Sequence, residues 1–75
     1  MVKTQITVNT AVGTFSRTTA RSYSHVVVVS DATSVPGPLA WASSLDLARK
    51  AATSRVARCY TTVQIFDVVT GGEVM

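Results

Sequence analysis

Tyr23-Ser24-His25-Val26-Val27-Val28-Val29-Ser30 is the stretch whose reading decides how this chain folds. Successive side chains on a strand point to opposite faces, so four consecutive valines put apolar surface on both. Such a strand lies centrally in a sheet covered on both sides, or at an interface between copies of the chain. The segment upstream is harder to read. Thr14 to Ser30 is long for one strand, since strands typically run about 5–6 residues. It reads as two strands, 14–19 and 22–30, broken near Ala20–Arg21; one long bent strand is the alternative. With unbroken alternation, Phe15, Arg17, Thr19, Arg21, Tyr23 and His25 share a face.

On the N-terminal side, Val2 to Thr10 alternates Thr4, Ile6 and Val8 against Lys3, Gln5 and Thr7, the pattern of a strand. Asn9 to Gly13 supplies a hairpin loop, with Gly13 free to adopt positive φ. On the C-terminal side, Val35-Pro36-Gly37-Pro38 reads as part of a loop over 31–38. A helix is expected over about 40–58. Pro38 suits its approach, Ser43 or Ser44 can cap a later start, and Ser43-x-x-Asp46 resembles a capping box. Trp41, Leu45, Ala48, Ala52 and Val56 recur at helical spacing and form its apolar stripe, with Trp41 packing in the core; a contact or stacking role is the alternative for Trp41. Cys59 to Thr70 is a second β segment. Val63 and Ile65 are expected to face the helix, leaving Phe66 and Val68 as apolar surface on the other side. Thr70-Gly71-Gly72-Glu73 is a hairpin turn, followed by a stub of returning strand to Met75.

The expected fold is therefore α+β: one domain over 1–75, with a single antiparallel sheet of about four strands, five if the segments split, and one helix on one face. Composition agrees. Thirteen Val, eleven Thr and two Ile make 26 of 75 residues β-branched, which favours strand over helix. Apolar residues are 47% and charged ones 15%, which argues against disorder. One helix cannot cover such a sheet, so the far face must be polar or meet a partner.

The same counts bound the chemistry. A chain of 75 residues buries only about 60% of its unfolded surface and has little room for a deep substrate pocket. One Cys and one His neither form a disulfide nor complete a four-ligand zinc site. No cofactor motif is present, and Gly71-Gly72 lacks phosphate-loop spacing. Ser24 and His25 are neighbours on a strand and are expected to point apart, so they form no dyad. Cys59 is expected to be a small structural apolar residue. No apolar run approaches the ~20 residues that span a bilayer, and the alternating start is unlike a secretory signal. The expectation is a non-enzymatic, cofactor-free protein of the cytoplasm.

Charge is unevenly placed. Lys3, Arg17 and Arg21 fall in an acid-free run over 1–30, and Arg49, Lys50, Arg55 and Arg58 in another over 47–66. Net charge is +3. Arg17, Arg21, Tyr23 and His25 interleave cations with aromatic groups, the pattern expected where bases stack and phosphates pair. Arg49, Lys50 and Arg55 form a second basic group, and the fold could join the two into one patch. These seven residues are the candidate contacts to a partner or a nucleic acid.

Ser44-Leu45-x-x-Ala48-x-x-x-Ala52 leads into Cys59-Tyr60, then Thr62-Val63-Gln64-Ile65, then Thr70-Gly71-Gly72. This order and spacing over residues 44–72 resembles small phage-encoded anti-CRISPR proteins directed against type I surveillance complexes. The N-terminal half departs from that pattern, so no functional residue is carried over. The resemblance implies binding to the Cas proteins of a crRNA-guided complex, blocking target DNA or promoting non-specific DNA contact. Two other readings stand beside it: a free-standing nucleic-acid-binding module, and a small phage structural protein or strand-paired homo-oligomer, for which the two-sided apolar run Val26–Val29 speaks.

Overall fold

The computed structural model describes residues 3–74, apart from the side chain of Ser34. The expected strand start at Val2 and the terminal Met75 lie outside the described residues. Among the described residues there are five strands: β1 Thr4–Thr10, β2 Gly13–Thr19, β3 His25–Asp31, β4 Ser34–Ala42 and β5 Thr62–Asp67. One helix, α1 Leu45–Ala52, and one 3₁₀ turn, Ala57–Cys59, accompany them. The fold is α+β, but the expected single sheet is two antiparallel sheets, a β1-β2 hairpin and a β4-β3-β5 sheet. The cause lies at the break after β2. The Thr19 hydroxyl accepts the Arg21 amide at 3.0 Å, which turns the chain out of the ladder. β2 then pairs only with β1, from Thr4 opposite Thr19 to Thr10 opposite Gly13.

β3 is the central strand, and Val26 to Val29 are between 0% and 6% exposed. Strand alternation divides its side chains between two cores. Val26 and Val28 join Phe66 beneath the hairpin residues Val8 and Phe15. Val27 joins Ile65, Ala42 and the α1 residue Ala48, with Val63 and Leu45 at the margin. Val63 and Ile65 thus face the helix as expected. Phe66, expected to leave an open apolar surface, is instead 1% exposed. The hairpin covers the face the helix cannot reach, so the chain meets its own need for a second cover. The result is three layers: hairpin, sheet, helix.

β4 corrects the expected 31–38 loop. Proline lacks an N–H for the ladder but is tolerated on an edge strand, and β4 is an edge. Two register shifts against β3 absorb Leu39 and the Val35-Pro36 segment as bulges. The Asp31 carboxylate accepts the Thr33 amide at 2.9 Å and closes the β3-β4 turn. Because β4 runs to Ala42, the helix begins at Leu45 rather than near residue 40. Ser44 caps it, its hydroxyl oxygen accepting the Leu47 amide at 3.2 Å. The helix ends at Ala52 rather than Arg58. Thr53 and Ser54 turn their hydroxyls back onto the carbonyls of Arg49 and Ala51, competing with helix continuation. The expected stripe therefore splits: Ala48 is buried, Trp41 lies on β4 and Val56 is 58% exposed.

The turn after β5 is tied to the hairpin. Asp67 accepts the amides of Val69 and Thr70 through Oδ1 at 2.7 and 3.1 Å. The Asp67 and Gly72 backbones bond at 2.9 Å, and Glu73 bridges back to Phe66. Gly71 has φ of 74°, and a Cβ there would overlap the carbonyl oxygen of Asn9 on β1. Only glycine fits this approach.

Candidate binding surface

Arg17 sits on β2 opposite Ile6 and is exposed. The chain leaves β2 at Thr19 and re-enters the other sheet at His25, and Tyr23 lies in the connection. This short link bends back over the hairpin edge, so the Arg17 guanidinium carbon lies 5.3 Å from the Tyr23 ring centroid. The Tyr23 ring in turn lies 6.3 Å from Trp41, tilted by 54°. Trp41 pairs with Val26 on β4 and packs on the core beneath the hairpin. A cation and two aromatic rings from three separate segments thus form one contact chain at the surface. The guanidinium–ring contact contributes about 0.5–1 kcal/mol at such an exposed site. It also reduces the freedom of a long side chain.

Arg21 is exposed beside this chain, its backbone held by the Thr19 hydroxyl. It helps line a surface recess of about 300 Å³ together with Thr4, Ile6, Ser22, Tyr23 and Val68. Of the expected hairpin-side residues, Arg17, Arg21 and Tyr23 are therefore brought together. His25 is not. It pairs with Ala42 and Asp67, residues that continue the helix-facing side of the sheet through Ile65. The expected shared face is broken because 20–24 is not strand, so alternation does not carry across it.

The same break overturns the expected separation of Ser24 and His25. Ser24 precedes the strand, and its Oγ lies 2.7 Å from His25 Nδ1. In the tautomer protonated at Nε2, the hydroxyl donates to Nδ1. Asp67 stands opposite His25. Its carboxyl is held below the ordinary carboxylate value by the amides of Thr70 and Val69, with a smaller contribution from His25 against a small burial penalty.

Arg49 and Lys50 are exposed in the last turn of α1, and Arg55 is exposed in the segment after it. α1 packs on the face of the sheet opposite the hairpin, so the two basic groups occupy different layers and do not join into one patch. Cys59 is exposed on the 3₁₀ turn, with Sγ 3.6 Å from the Arg55 carbonyl oxygen, and is not the buried small residue expected. Among the described residues, no three His, Cys, Asp or Glu side chains gather as a metal site would require. Nor is any helix there long and apolar enough to cross a membrane.

Trp41 packs on the core as expected, but from β4 and not from a helix start, because its spacing to Leu45 and Ala48 also fits a helix. Sequence reasoning missed the recess, whose walls come from β1, the 19–23 connection and the turn after β5. No protein family, curated protein or solved structure matches the chain.

Proposed function

We propose that this chain is a non-catalytic binding protein that docks its hairpin face on a larger nucleoprotein assembly. The class of assembly is the crRNA-guided type I surveillance complex of the bacterial cytoplasm, and the effect is interference with target-DNA binding. One observation carries the reading: the Arg17, Tyr23 and Trp41 contact chain beside Arg21, with Arg17, Arg21 and Tyr23 all in the acid-free run over 1–30. Arg, Tyr and Trp are the residues that dominate binding hot spots, and here their geometry is set before any partner arrives. Their positive potential suits an acidic protein groove or the phosphates of an assembly's nucleic acid. The likeness over 44–72 supplies the class of assembly.

The test is a mobility-shift titration of target duplex with a purified type I complex. Saturating wild-type chain is expected to suppress the shift. The double substitution R17E/R21E should weaken suppression about 100-fold, as expected for two charge-assisted contacts of about 1.5 kcal/mol each. Full-strength suppression by the double variant would refute the face, and an unchanged shift at saturating wild-type chain would refute the function.

A further inference from the structure

The recess beside Arg21 is lined by residues of two chemical kinds. Arg21, Thr4 and Ser22 carry hydrogen-bond donors. Ile6, Val68 and Tyr23 carry apolar or aromatic side chains. Thr19 also lines it, and because its oxygen already accepts the Arg21 amide, its proton is left to donate. Among the described residues, no carboxylate lines the recess. It is an open depression of the surface, of about 300 Å³.

We infer that this recess takes one unpaired nucleotide of a single-stranded nucleic acid, its phosphate on Arg21 and the hydroxyls and its base stacked beside the Arg17–Tyr23 pair. The inference rests on the reading of the hairpin face as the nucleic-acid-facing surface, and it names the form of nucleic acid met there. Phosphate is held by a guanidinium with neighbouring hydroxyls, the usual donor set for backbone contacts. An exposed aromatic or guanidinium plane stacks any base whose face is open, and duplex pairing keeps those faces closed. Lys3, just before β1, and Arg17 on β2 extend positive charge along the path of the flanking phosphates.

The experiment titrates the full chain with a single-stranded thymidine oligonucleotide of about eight nucleotides, within the usual site size. It reads oligonucleotide anisotropy and the emission of Trp41, the one Trp, which lies 6.3 Å from Tyr23. Saturable binding with a change in Trp41 emission is expected, with a log–log salt slope of about −2 for three phosphate contacts. Arg21→Gln should weaken binding about tenfold. Arg21 is exposed and outside any strand, so this variant retains the fold, and far-ultraviolet circular dichroism verifies it. The oligonucleotide paired to its complement should bind about tenfold more weakly, and thymidine monophosphate should fail to compete at equal concentration.

Absence of saturable binding, an unchanged affinity in Arg21→Gln, or duplex binding as tight as single strand overturns the inference. Monophosphate binding as tight as the oligonucleotide overturns it too, in favour of a free nucleotide. Suppression of the type I complex that depends on Arg17 and Arg21, without single-strand binding, overturns this inference and leaves the proposed function standing. Single-strand binding without any effect on the complex does the reverse.

Discussion

Gly71→Ala tests the joint between the C-terminal turn and the hairpin. Gly71 is held at φ of 74°, where an L side chain costs about 1 kcal/mol or more. The added methyl group would overlap the Asn9 carbonyl oxygen, a backbone atom that no rotamer change can move. The turn must shift to relieve it. That shift strains the Gly71 to Asp67 and Asp67 to Gly72 backbone bonds, at 2.8 and 2.9 Å, each worth about 1 kcal/mol net. The total is about 3 kcal/mol. At this chain length it corresponds to a fall in Tm of roughly 15 °C. Urea denaturation with a thermal melt measures both. Gly37→Ala is the matched control, because nothing lies within 4 Å of its Cβ position and its φ is not positive. It should change stability by less than about 1 kcal/mol. If Gly71→Ala is as mild as Gly37→Ala, the close approach of turn to hairpin is wrong.

Phe66→Ala should cost about 3–5 kcal/mol in urea denaturation, because the ring is 1% exposed between sheet and hairpin; a cost below about 1 kcal/mol would mean that the hairpin does not cover it. Asp67 carries a lowered pKa, so its contribution to stability is present above the ordinary carboxylate value and is lost as pH falls through the lower folded value. Stability curves from pH 7 to pH 2 should therefore show a steeper acid loss in the parent than in Asp67→Asn, and parallel curves would contradict that assignment. Ser44→Ala should cost about 1 kcal/mol through loss of the Leu47 cap, and no change in the urea midpoint would place the helix start elsewhere.

Some of this architecture is written locally. Four consecutive valines have no amphipathic solution, so β3 had to be central or shared, and it is central. Val63 and Ile65 alternate with Phe66 strongly enough to assign both faces of β5, and Ser44 and the Gly71 turn carry their own local chemistry. What covers the second face is not local. Phe66 has the same sequence context whether it meets a partner or the hairpin, and only the break at Thr19 sends β1 and β2 across the sheet. β4 was hidden for a related reason. Prolines at 36 and 38 exclude a central strand but permit an edge, and edge position belongs to the sheet rather than to the segment. In the binding surface, Arg17, Arg21 and Tyr23 could be grouped from alternation alone. That grouping survives although the strand does not continue, while His25 and Trp41 exchange places because each depends on which sheet face its strand register selects.

The register of β3 also sets a timetable. Its partners in β5 lie 32 to 42 positions further along, from Ser30 opposite Thr62 to His25 opposite Asp67. The β1-β2 ladder closes over a two-residue turn. Hairpins form within about 1–10 μs, whereas distant strand pairing waits on the closure of a long loop. The hairpin is therefore ready early and β5 docks late. In that interval one edge of Val26–Val29 has no ladder, and newly made chains at high concentration can join there by mistake. Slow β5 docking is therefore expected to lower the share of this protein that reaches its fold at high expression.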